Sequence, residues 1–189
     1  MLTIKLDIKG NYGYNYLRKE RVRCVNSMSA EVLVRKVNSK KKLANALSVC
    51  NFAITVFSVV VFACMLTYFA TRSLAMLLGC IVTLGAPFVI VSLLRRIIDA
   101  PRPYEIYDFL EKSPESKGGN SFPSRHSFSV FAIGTLCLFA SVPVGVITLV
   151  LGVLLCFCRV ALGLHFVRDV VVGGAIGIIT SLIGGFILI

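Results

Sequence analysis

Four stretches of the chain carry no charged side chain: Leu43 to Thr71, Ser73 to Leu94, Ser127 to Cys158 and Val170 to Ile189. Each meets the roughly 20 apolar residues that a helix needs to cross the hydrocarbon core of a bilayer. The third is too long for one crossing, and Ser141, Pro143 and Gly145 near its middle mark a turn between two shorter helices. The pattern predicts an all-α fold, a polytopic membrane helical bundle of about five transmembrane helices. Near the end, Gly173 and Gly177 set a small-xxx-small spacing that lets a neighbouring helix come close. Outside the apolar runs, "LTIKLDIK" alternates apolar and polar residues and reads as a short strand or extended arm. Ser29 to Leu43 has partly helical spacing and leads towards the first span. Residues 104–121 are polar and broken by Pro114, Gly118 and Gly119, so they read as a loop with one helical turn near "YDFLEK".

Composition agrees with a lipid-embedded chain: 57% of residues are hydrophobic, only 15% are charged, and the mean hydropathy is +0.85. Charge divides the sequence in two. Residues 1–42 hold eleven Lys and Arg against three acids, so most of the net +11 lies there. The expected organisation is a basic cytoplasmic N-terminal tail over 1–42 and a transmembrane domain over 43–189. A basic tail joined to a span marks the cytoplasmic side and suits anionic headgroups. Nucleic acid is not expected as a partner, because no aromatic or glycine-rich binding module accompanies the charge. Forty-odd residues rich in Lys and Arg precede the first apolar run, so the tail is expected to stay uncleaved. The seven cysteines are scattered, and Cys156 and Cys158 are spaced wrongly for zinc. No metal site is expected.

Charged side chains cost about 2.5–3.5 kcal/mol at mid-bilayer, so those bordering the spans ask for a reason. Arg95, Arg96 and Arg102 follow the second span; Ser124, Arg125 and His126 precede the third; Arg159, His165 and Asp169 stand before the last. Both histidines of the chain fall at such junctions. His165 and Asp169 are four apart, which on a helix lets the carboxylate hold one ring nitrogen and leave the other free. Gly163 offers a break that would let Arg159 reach the same place. Arg95 and Arg102, seven apart, can converge on one anion, and a guanidinium fork suits phosphate oxygens. Ser124 can cap the third span, whose N-terminal N–H groups attract phosphate. His126, in the first turn, can supply a proton to a leaving oxygen. For Arg159, His165 and Asp169 taken alone, a structural set at the membrane edge with a snorkelling Arg is the competing reading.

"RRIIDAPRP", "PSRH" and "CRVALGLHFVRD" resemble, in order and spacing, the three signatures of the type-2 phosphatidic acid phosphatase superfamily, K-x6-R-P, P-S-G-H and S-R-x5-H-x3-D. The resemblance covers roughly residues 43–189. It implies hydrolysis of a membrane lipid phosphate through a phosphohistidine, with no metal or other cofactor. His165 would be the nucleophile, Asp169 its orienter and His126 the acid. Arg95, Arg102, Ser124 and Arg159 would hold phosphate oxygens. Three positions depart from the signatures. Arg95 replaces Lys, keeping the charge in a bulkier form. Arg125 replaces Gly and can add a phosphate ligand, and Cys158 replaces a Ser, removing a hydroxyl.

For His126 and His165 to meet, residues 127–158 must enter and return as a hairpin. Every Lys and Arg except Arg72 then lies on one face, cytoplasmic by the positive-inside rule. That sidedness fits phosphatidic acid or phosphatidylglycerol phosphate better than a polyprenyl diphosphate. Two readings compete with the enzyme. One is an anion transporter or channel, which would want more mid-span polar groups than Asn51 and a few Ser and Thr. The other is a catalytically silent relative that binds phospholipid or scaffolds a partner.

Overall fold

The structure is a computed structural model, and it describes residues 28–107, 109–110 and 119–188. The alternating stretch near the N-terminus lies outside the described residues. The elements are helices α1 (Met28–Asn38), α2 (Lys41–Arg72), α3 (Leu74–Ile98), α4 (Pro103–Ile106), α5 (Arg125–Cys137), α6 (Val142–Ala161) and α7 (Val167–Leu188). Of these, α2, α3, α6 and α7 are long and apolar enough to cross a membrane. The protein is a multi-pass helical membrane bundle.

The expected hairpin within 127–158 is present, but its first arm is not a full-length span. At 13 residues, α5 rises only about 20 Å, and a tighter turn carries the chain through Leu138–Ala140 to Ser141. Nine of those 13 residues are buried. The helix lies at the centre of the bundle, in contact with α2, α3, α6 and α7, so its length is matched to protein neighbours instead of lipid.

The outer helices bury one stripe each. On α2, Ile54, Ser58, Val61, Met65 and Phe69 recur every three or four residues and face the core. Val49, Phe52, Val56, Val59 and Val60 on the same helix stay exposed, as a lipid-facing surface requires. The main core joins α2, α3 and α5 through residues such as Met65, Phe69, Cys80, Val91, Phe128 and Leu136.

Residues 28–38 do more than lead into the first span. They form the separate helix α1, ended at Ser39–Lys40, with Val34 and Val37 buried. Asn38 donates through Nδ2 to the carbonyl of Ala161 at 3.3 Å, tying α1 to the end of α6. Within "YDFLEK" the Leu110 N–H donates to the Tyr107 carbonyl at 3.1 Å, a single turn, while residues 108, 111 and 112 lie outside the described residues; just before it stands the short helix α4. Pro103 starts it, where a missing N–H costs nothing, and Glu105 caps it by accepting from the Arg102 N–H at 3.4 Å.

Candidate active site

Three junctions meet at one end of the bundle. The α6–α7 link supplies His165. Helix α6 stops at Ala161, and Gly163 takes a left-handed φ of 71°, the break anticipated from sequence. Leu164 and His165 both donate their N–H to the carbonyl of Arg159, at 3.0 and 3.3 Å, which folds the link back over the α6 terminus. His165 therefore precedes α7 instead of lying on it. Its ring still faces Asp169 in the first turn of α7, with Nδ1 3.6 Å from Oδ2. Oδ2 also accepts from the Phe166 N–H at 3.1 Å and from the hydroxyl of Ser121. Burial holds the His165 imidazole down at about 4, a fall that hydrogen bonding to Asp169 only partly offsets and that the Arg159 charge reinforces. The ring is accordingly neutral at pH 7, with one nitrogen lone pair available.

The N-terminus of α5 is fastened to the same place. Ser124 caps it as expected, its Oγ accepting from the Ser127 N–H at 3.4 Å and from the Ser127 hydroxyl at 3.1 Å. The Ser124 N–H donates to the carbonyl of Asp169 at 2.9 Å, so the starts of α5 and α7 are joined directly. With two bonds accepted, the Ser124 hydroxyl hydrogen remains for another acceptor. The peptide bond between Phe122 and Pro123 is cis.

Arg95, in the last turn of α3, is buried and donates from Nη1 to the Pro123 carbonyl at 2.8 Å. Arg102 donates from Nε to the Gly119 carbonyl at 3.1 Å, while the Gly119 N–H donates to Glu105. Gly119 takes a φ of 72°, and a Cβ there would collide with the Asp99 carboxylate. Arg159, in the last turn of α6, is buried and donates from Nη1 to Asn51 Oδ1 at 3.1 Å. Arg95, Arg102 and Arg159 lie within electrostatic range of one another. His126 lies within range of His165, Arg159, Arg125 and Arg95. The sequence-selected residues thus converge, and three guanidinium groups sharing one region favour an anion between them.

His126 and Arg125 line a cavity of about 600 Å³ that follows α5 inward between α2, α3 and α6, with walls including Phe62, Leu84, Phe88 and Ile133. One end is basic and titratable; the rest is almost entirely apolar. Arg125 sits on this wall, beside His126, and Cys158 is buried.

Sequence reasoning missed three contributors. Ser121 and Glu105 are single polar residues in a loop, with no periodicity to single them out. Asn51 was visible as a polar group in a span, but its partner 108 positions away was not.

The sequence model of the PAP2 superfamily matches residues 75–184. The chain belongs to the PAP2 superfamily. Within the curated relatives, it is 29% identical over 99 residues to the bacitracin transport permease protein BcrC of Bacillus licheniformis, an alignment covering 50% of this chain and 49% of that protein. The chain thus matches about half the length of that relative. Among solved structures, LpxE of Aquifex aeolicus superposes with a TM-score of 0.63 at 23% identity, covering 82% of this chain and 92% of the other. The first transmembrane PAP2 type phosphatidylglycerolphosphate phosphatase from Bacillus subtilis superposes with a TM-score of 0.62 at 22% identity, covering 93% and 92%. At these identities the superpositions establish a shared fold. The family match spans α3 to α7 and leaves α1 and α2, and with them Asn51, outside it.

Proposed function

We propose that this PAP2 superfamily member is a metal-independent lipid phosphate phosphatase working through a phosphohistidine. The reading rests on one observation: a neutral, carboxylate-oriented imidazole and a second histidine share a cluster of guanidinium groups, and the second histidine, with Arg125, lines the polar end of an apolar cavity. A lipid phosphate has the matching form, a dianionic head on an apolar chain.

Asp169 occupies the Nδ1 side of His165, so the Nε2 lone pair attacks phosphorus. Arg95, Arg102, Arg159, the Ser124 hydroxyl and the first N–H groups of α5 neutralise the equatorial oxygens, with Arg125 a further ligand. Burial and the Arg159 charge lower the His126 pKa, and the dianionic phosphate offsets them, so His126 takes up a proton as the substrate binds and gives it to the lipid oxygen as the bond from phosphorus breaks. Neutral His126 then removes a proton from water, whose oxygen attacks phosphorus. The P–N bond breaks, inorganic phosphate leaves, and both rings return to their starting states. The site faces the cytoplasm, and phosphatidylglycerol phosphate and phosphatidic acid are the first substrates to test, ahead of polyprenyl diphosphates.

Phosphate release from these lipids in detergent micelles with EDTA present tests the proposal. His165→Ala is expected to lower kcat by at least about 1,000-fold, and His126→Ala by about 100- to 10,000-fold. Rapid acid-free quenching with 32P-labelled substrate should trap a base-stable, acid-labile phosphoprotein in the parent and none in His165→Ala. If His165→Ala released phosphate as fast as the parent, the phosphohistidine route would be wrong. A parent inactive on every lipid phosphate offered would favour the catalytically silent, lipid-binding alternative.

A further inference from the structure

Ser121 lies outside all three sequence signatures, yet it touches both members of the His165–Asp169 pair. It is completely buried. Its backbone N–H donates to the carbonyl of Ala100 at 2.9 Å, anchoring it where the chain leaves α3. Its hydroxyl donates to Asp169 Oδ2, and the same oxygen is 3.4 Å from His165 Nδ1. A hydroxyl has one hydrogen and two lone pairs, and an ionised carboxylate can only accept. With the Ser121 hydrogen committed to Asp169, its oxygen can attract Nδ1 only when Nδ1 carries the proton. At 3.6 Å, the direct reach from Nδ1 to Oδ2 is longer than the 3.4 Å to the Ser121 oxygen, and Oδ2 already serves the Phe166 N–H.

We infer that Ser121 is a positioning residue that fixes His165 in the Nδ1–H tautomer. It bridges the ring to Asp169 by accepting from one and donating to the other. The consequence is a lone pair held on Nε2, the nitrogen turned away from the pair. Ser121 does not touch the phosphate in this role. It also lies three residues before Ser124, so the chain that caps α5 sets the tautomer of a ring on a different junction.

The catalytic consequence rests on the phosphohistidine reading, but the tautomer can be read without activity. The chain has two histidines, so His126→Asn leaves His165 as the sole imidazole. In full-length protein labelled with 15N-histidine, in micelles at pH 7, the ring nitrogen shifts should report Nδ1–H as the dominant form. Adding Ser121→Ala should move the shifts towards a tautomer mixture, and Ser121→Thr, which keeps the hydroxyl, should restore them. In the enzyme with His126 intact, Ser121→Ala should lower kcat about 10- to 100-fold, as loss of a group orienting a functional imidazole does elsewhere. KM should stay within about twofold, and Ser121→Thr should recover much of the loss. A dominant Nε2–H form with Ser121 present would overturn the inference even if the alanine variant does not fold. Unchanged shifts and rate in Ser121→Ala, beside an inactive His165→Ala, would overturn it while leaving the phosphohistidine route standing. Full activity in His165→Ala would instead remove that route and leave the tautomer result to be judged on the spectra.

Discussion

Arg159 and Asn51 show how a single side chain on an outer helix can serve a site built elsewhere. Asn51 lies ten residues into α2, about 15 Å from the start of that helix, where a polar amide needs a partner. It finds one in the guanidinium of Arg159, which it orients from behind. A hydrogen bond to a charged group is worth about 1.5–3 kcal/mol, or roughly 10- to 150-fold if the loss falls wholly on the transition state. Asn51→Leu should therefore reduce kcat/KM for a lipid phosphate within that range and weaken inhibition by inorganic phosphate. Unchanged values for both would mean that packing alone holds Arg159. The residue types at the site were legible, because charges at span ends are costly and so conspicuous. Their partners were not, because Ser121, Glu105 and Asn51 gain meaning only from atoms distant in sequence.

Between elements, the contact that fixes the site is α7 against α5. A Cβ on Gly173 would strike the backbone of Ser124, and one on Gly177 would strike the Phe128 carbonyl and lie 3.0 Å from the Ala132 nitrogen. Both obstacles are backbone, which cannot rotate aside. The sequence announced this approach through its small-xxx-small spacing, though not which helix would fill it. Gly85 on α3 is the counterexample: a Cβ there would meet no atom within 4 Å, because the residue stands on the cavity wall. Gly177→Val should cost about 1–3 kcal/mol, seen as a lower unfolding midpoint in micelles. Gly85→Ala should gain about 0.5–1 kcal/mol from the reduced freedom of the unfolded chain. Equal midpoints for the two variants would contradict the packing described.

For the whole molecule, the hairpin of α5 and α6 decides sidedness, since it returns Arg159 and His165 to the end where Arg125 and His126 begin. Arg72, at the turn between α2 and α3, marks the other end. The proposed cytoplasmic orientation of the site follows from the positive-inside rule and is open to a direct test. In a background without the seven native cysteines, Lys36→Cys should resist a membrane-impermeant thiol reagent on intact cells and react after permeabilisation. Thr71→Cys should react on intact cells. The reverse pattern would place the site outside and turn the substrate search towards lipids presented on that face.

The sequence by itself determined where the chain enters and leaves the bilayer, which residue types gather at those points, and that residues 127–158 double back. These are local matters: a charge or a helix breaker has its cost in lipid wherever the rest of the chain lies. Only the tertiary structure decided which stripe of each uniformly apolar helix faces protein, that the short α5 becomes the centre, and that Ser121 and Asn51 complete the site. In a helix apolar on every side, lipid and protein neighbours are nearly equivalent solvents, so the choice between them falls to shape and to hydrogen bonds formed across the assembled bundle.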